Sequence, residues 1–194
     1  MSGQVHTARR HDSALKHVTG QALYIDDIAE PPGTLHGALV LSPVAAGRLR
    51  RLDLSPAASA PGVAGVFAAG DIPGHNNIAG AGKDEPLFAE SKVEFAGQPL
   101  ALVVADTLDA ARAAAERAVI DIEPGEAILD IATALRKQAY VQAPSTILRG
   151  DPDAALKSAP HRLSAAFSVG GQEHFYLEGQ IGRASCRERV CLLV

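Results

Sequence analysis

The chain has 194 residues, 47% hydrophobic and 21% charged, the balance of a globular protein with room for one domain, or one domain and the start of another. A formal charge of -4 offers no basic footprint for nucleic acid or an anionic membrane, and no apolar run reaches the length of a bilayer span. The polar start, Met1 to Asp12, lacks the apolar stretch of a signal peptide, which predicts a cytoplasmic protein; Cys186 and Cys191 sit too near the end to frame disulfides or an iron–sulfur cluster in the body of the chain.

Residues 1–14 read as a flexible lead-in. Leu35 to Leu41, between Pro31-Pro32-Gly33 and Ser42-Pro43, alternates bulky and small residues as a strand does. Leu49–Leu54 and Val63–Phe67 are further strand candidates, with a brief helix over Pro56–Ala60 that Ser55 would cap. Asp71 to Glu85 (DIPGHNNIAGAGKDE) predicts a long loop, of the kind that is functional or faces a partner. After Lys92–Phe95, the nearly continuous apolar run Pro99–Ala105 predicts a strand buried on both faces of a mixed or parallel sheet. A helix follows over 107–118, capped by Asp106 or Thr107, and then the alternating strand Val119–Ile122. This strand–helix–strand order predicts an α/β (α+β) class, with the helix packed on one sheet that holds both strands.

Glu123-Pro124-Gly125 closes that region. A short helix over Ile131–Gln138 precedes a Pro- and Gly-marked linker, and Asp151-Pro152 opens another that runs to Lys157. His161–Val169 and Gln172–Glu178 read as a pair of strands around Gly170-Gly171. Gly182 to Val194 breaks the pattern with three arginines and both cysteines, and is read as a non-native tail.

Several residues invite chemical readings. Gly80 to Lys83 (GAGK) resembles a phosphate loop, but Asn77 and Asp84 stand where that motif needs a glycine and a hydroxyl residue. Asp26-Asp27 reads as a solvated turn or cap, and His11, His17 and His36 lack metal-ligand spacing. The segment Gly170 to Glu178 (GGQEHFYLE) is unusual. If extended, it carries polar groups on both faces, and its paired glycines let a bulky group approach the backbone.

GGQEHFYLEGQ resembles the molybdenum-proximal motif of the xanthine dehydrogenase and aldehyde oxidase family. HDSALKHVTGQALYIDD, PPGTLHGALVLS, GDIPGHN, DEPLFAESKVEFAGQPLALVVAD and RGDPDAALKSAPHR resemble the same family in the same order, from about His11 to Ile181. Ala46-Gly47 stand where the family often has His-Ala, a change read as superficial.

The resemblance implies a hammerhead-like domain of a mixed sheet with packed helices over residues 15–124, a linker over 125–148, and the start of a molybdopterin-binding domain over 149–181, with 182–194 as the tail. It implies a part of a molybdenum hydroxylase that oxidises hypoxanthine and xanthine to urate with water as oxygen source, in purine catabolism. Electrons would leave through [2Fe–2S] clusters and FAD, on a partner iron–sulfur/FAD subunit of a hetero-oligomer, to NAD. Gln172 matches the glutamine whose amide lies beside the metal and bonds an oxygen ligand; the catalytic glutamate belongs to sequence beyond this fragment, which is expected to be inactive alone. The alternatives are a related aldehyde or heterocycle oxidoreductase subunit, and a non-enzymatic α/β interaction module.

Overall fold

The computed structural model describes residues 7–24, 27–79 and 85–173. The chain divides into two compact units, Pro32–Arg149 on the one hand and Met1–Pro31 with Gly150–Val194 on the other.

All the described strands belong to the first unit and form two three-stranded sheets. One has the order β1 (His36–Leu41), β5 (Pro99–Ala105), β3 (Val63–Ala68); the other has β4 (Lys92–Val93), β2 (Gly47–Asp53), β6 (Val119–Pro124). Each pairing is antiparallel. The apolar run 99–105 is therefore the centre of an antiparallel sheet, not of a mixed or parallel one. Its inward residues Ala101, Val103 and Ala105 are fully covered, and Leu100, which the β-bulge opposite Val40/Leu41 leaves out of the pairing, is buried as well. The expectation of burial on both faces is corrected: Leu102 and Val104, on the other face, are only half-buried, so the strand alternates from Ala101 onward although its sequence is apolar throughout.

Helix α3 (Leu108–Ala115) packs on β1 and β5 through Ala111 and Ala114, one turn apart. Thr107 caps it, its hydroxyl accepting from the Ala110 N–H at 3.1 Å. The expectation that strands 99–105 and 119–122 share a sheet is corrected. Both edges of β5 are already taken by β1 and β3, so the chain crosses over α3 to the second sheet, where β6 pairs with β2. With aromatics at 4% of the sequence, the core is aliphatic: Val40, Ala57, Ala89, Val93, Leu100, Ala101, Val103 and Ala114 form one cluster.

The brief helix α2 is Ser55–Ala58, with Leu54 rather than Ser55 at the cap position. Asp53 serves instead, its Oδ1 accepting from the Ser55 N–H at 3.0 Å. That backbone bond, then the Ser55 hydroxyl and Arg51, hold the Asp53 carboxyl below its ordinary value. Gly47 is not superficial: a Cβ there would lie 2.6 Å from Ile122 Cγ2 and 2.7 Å from the Glu123 carbonyl oxygen, inside the β2–β6 seam. Helix α4 (Ile131–Lys137) is capped by Asp130, whose Oδ1 accepts from the Thr133 N–H at 2.8 Å.

The second unit holds α1 (Ala14–Thr19), ended by Gly20 in the left-handed conformation at φ 72°, and α5 (Pro152–Ser158), capped by Asp151 through the Ala154 N–H at 2.9 Å. No residue of either helix is buried.

Candidate functional site

Beyond α5 the chain runs through 159–173 without helix or strand, almost wholly exposed. The strand expected over 161–169 is not formed. Its alternation is real, but Leu163, Phe167 and Val169 stand 102%, 89% and 85% exposed, and a single extended segment without a pairing edge has nothing to hold it as a strand. The partner strand expected over 172–178 lies, from His174 onward, outside the described residues, as does the tail 182–194.

Gln172 is exposed on irregular backbone. Neither Gly170 nor Gly171 adopts a positive φ, and a Cβ on either would meet nothing within 4 Å. Backbone geometry and packing within this chain therefore give no reason for glycine at these positions, and a group can approach here against bare backbone. The Gln172 amide offers two N–H donors and one carbonyl acceptor, all neutral across the physiological range. Such a group suits hydrogen bonding to an oxygen ligand of a metal better than it suits direct ligation. Among the described residues no group of three or more His, Cys, Asp or Glu side chains converges as a metal site.

The other sequence candidates have structural explanations. Asp27 closes a turn, its Oδ2 accepting from the Tyr24 N–H at 2.9 Å and its N–H donating to the Tyr24 carbonyl at 3.0 Å. His11 and His17 are nearer than their spacing suggested, with ring centroids 6.3 Å apart, and the Tyr24 hydroxyl lies 3.4 Å from His17 Nδ1. His11 Nδ1 also accepts from the Ser13 N–H, so this cluster serves the start of α1. Gly80 to Lys83 falls outside the described residues.

The long loop is anchored by residues that sequence reading passed over. Asn76 pairs with the Phe88 backbone as a strand would: its Oδ1 accepts from the Phe88 N–H at 3.0 Å and its Nδ2 donates to the Phe88 carbonyl at 2.7 Å. The same Nδ2 donates to Glu90 Oε1 at 2.8 Å. Asn77 Oδ1 accepts from the Glu85 N–H at 3.3 Å, and the Ile78 N–H donates to the Glu85 carbonyl at 2.8 Å. Buried Gln98 is likewise a fastener, its Oε1 accepting from the Glu94 N–H at 2.8 Å.

A groove of about 490 Å³ runs between β2 and the 3-10 turn Ala69–Asp71, floored by Leu49, Leu52 and Leu100. The arginines at its rim are engaged, Arg50 with Glu123 and Arg51 with Asp53 at 2.7 Å. A polar recess of about 260 Å³ at His75, Asn76 and Asn77 shares Glu90 with the groove. Asn76 and Glu90 are bonded to each other there, so neither space presents a nucleophile with its base.

The family model described as aldehyde oxidase and xanthine dehydrogenase, a/b hammerhead domain, matches residues 19–126. The chain is 42% identical to a xanthine dehydrogenase of Oryza sativa over 88% of its own length and 13% of that protein's. It is 38% identical to aldehyde oxidase 4 of Rattus norvegicus over 88% of its length and 12% of that protein's. The aldehyde oxidoreductase structure from Desulfovibrio desulfuricans superposes with a TM-score of 0.60 at 34% identity, covering 64% of this chain and 15% of that one. The chain thus spans about an eighth of the length of the curated relatives it matches.

Proposed function

This chain belongs to the aldehyde oxidase and xanthine dehydrogenase family, and we propose that it is the hammerhead-bearing part of the large subunit of a cytoplasmic purine hydroxylase. The observation that carries this reading is the 42% identity to a xanthine dehydrogenase over 88% of the chain, a likeness that extends beyond the hammerhead match at 19–126. In this reading the hammerhead domain occupies 15–124, 125–148 is a linker, and the molybdopterin-binding domain begins at 149. Hypoxanthine and xanthine are the substrates and urate the product. A subunit with [2Fe–2S] clusters and FAD takes the electrons and passes them to NAD. Identity does not separate the substrate classes, since xanthine dehydrogenases match at 37% to 42% and aldehyde oxidases at 38% and 39%, so an aldehyde-oxidising relative is the second reading.

When bound, the molybdenum cofactor supplies the two-electron oxidation of a substrate carbon. The chain's own contribution is Gln172. Its exposed amide can donate a hydrogen bond to an oxygen ligand of the metal without adding charge, and the bare backbone of Gly170-Gly171 leaves room for that approach. The other walls of the pocket, and the general base, come from sequence beyond this chain, which alone is inactive.

The test is turnover per bound molybdenum in the complete enzyme. Losing one preorganised donor whose partner gains charge in the transition state costs about a hundredfold in rate. Gln172→Ala is expected to lose about that much with urate as the measured product, while metal content and thermal stability stay at the unsubstituted level. Unchanged turnover per metal would overturn the assignment of Gln172; oxidation of aldehydes but not purines by the unsubstituted enzyme would overturn the substrate reading.

A further inference from the structure

The two sheets of the Pro32–Arg149 unit have opposite outer characters. The second sheet carries Arg48, Arg50, Arg51 and Asp53 on β2 and Asp121 and Glu123 on β6, charges of both signs that suit a wetted surface. The first sheet carries none: β1 reads HGALVL and β3 reads VAGVFA. Natural edge strands are protected by charge, proline or bulges; the flanking strands of this sheet have neither charge nor proline, and only the register shifts at Val40/Leu41 and Val63/Gly65 interrupt them.

Its outer face is apolar too. The register aligns Leu39, Leu102 and Phe67 in one cross-strand row, with Gly37, Val104 and Gly65 in the next. Helix α3 covers the opposite face, where Val40 and Val103 lie buried. Leu39, Leu41 and Phe67 remain 47%, 45% and 45% exposed. The glycines keep the face flat. A Cβ on Gly37 would come within 3.1 Å of Leu102 Cδ1, and one on Gly65 within 3.2 Å of the Phe67 ring, so both large side chains lie down over a glycine.

We infer that this face is the surface through which the unit docks onto the remainder of the large subunit, meeting there an apolar, uncharged surface of the same polypeptide. The inference rests on the proposed function. Its occupant follows from length: the chain spans 13% of the matched xanthine dehydrogenase, so most of a polypeptide of that kind lies outside it. A flat apolar face with uncharged edges suits a permanent contact of this sort, since obligate interfaces resemble a domain core cut in half.

The experiment is carbene footprinting, read by mass spectrometry, on the 194-residue chain and on the complete subunit encoded by the same gene, with sedimentation of both. Leu39, Leu41 and Phe67 should label in the chain and about tenfold less in the complete subunit, as expected on entering a dry interface core. Val119, 48% exposed on β6, should label in both. Equal labelling of the face in both samples overturns the inference. So does protection in the chain alone accompanied by a dimer mass, which would make the occupant a second copy. Leu39→Lys gives an independent reading: the chain should keep its circular dichroism and melting temperature, while soluble yield of the complete subunit drops about tenfold, whereas Val119→Lys should leave that yield unchanged. Unchanged yield with Leu39→Lys counts against the inference. Molybdenum content measured on the same complete subunit separates the failures, because metal with an unprotected face sinks only the docking and a protected face without metal sinks only the proposed function.

Discussion

Asn76 should be among the most sensitive polar positions in the hammerhead unit. Its side chain makes three hydrogen bonds, two that pair with both backbone groups of Phe88 and one to Glu90 Oε1. Phe88 is only 5% exposed, so water cannot freely replace what Asn76 provides. Truncation to alanine leaves a partly buried N–H and C=O without partners, at about 1–3 kcal/mol for such groups, and loses the bond to an exposed carboxylate, which contributes less. The bonds share one side chain and are not additive, so about 3 kcal/mol in total is expected. For a unit of this size that corresponds to a fall of about 10 °C in melting temperature, measured by circular dichroism and confirmed by urea titration. Asn76→Asp separates the hydrogen-bonding account from simple packing. The carboxylate cannot donate to the Phe88 carbonyl or to Glu90, and it faces Glu90 with like charge. Its folded-state pKa is thereby raised, so its penalty is full near neutrality, greater than that of alanine, fades as pH falls through that raised value, and is gone by about pH 4, the unfolded-state value. An alanine variant within about 0.5 kcal/mol of the parent, or an aspartate variant milder than alanine at pH 7, would refute the clamp.

Two further outcomes follow from the caps. Thr107→Ala should destabilise the unit by about 1 kcal/mol through loss of the bond to the Ala110 N–H, and Thr107→Ser should restore most of it in thermal melts. The Thr133 hydroxyl, followed by the Thr133 N–H, holds the Asp130 carboxyl below its ordinary value. A depressed carboxyl contributes stability above its unfolded-state pKa and loses it as pH falls through the folded one, so amide exchange at the start of α4 should quicken in acid, and Asp130→Asn should flatten that dependence. Identical acid profiles in the two proteins would show that Asp130 does not set it.

Elements whose cause is local were legible in the sequence. Pro99–Ala105, the caps at Thr107 and Asp151, the alternation over 35–41 and the strand over 63–67 each depend on the residues themselves and appear close to where expected. The pairing of strands was not legible, because it is decided by competition for edges: nothing within Val119–Ile122 records that both edges of β5 are already filled. Helix α1 was missed for the complementary reason, since its six residues bury nothing and their apolar spacing, Ala14, Leu15 and Val18, is too short to read as a period. Asn76 and Asn77 looked like loop composition, and only the return of the chain at Glu85 and Phe88 turns them into fasteners.

The same distinction governs 161–178. Leu163, Ala165, Phe167 and Val169 alternate as a strand should, yet all four stand exposed on backbone that is neither helix nor strand. Period-two alternation specifies which face will be buried and not what buries it. The outer face of the first sheet has the same property, with Leu39 and Phe67 flanking Leu102 across three uncharged strands. Gln172 comes three residues after the alternating stretch, so whatever partner orders that stretch would also fix the amide's direction. If Gln172 has the role proposed above, the direction of its amide depends on a strand pairing that residues 159–173 do not make among themselves.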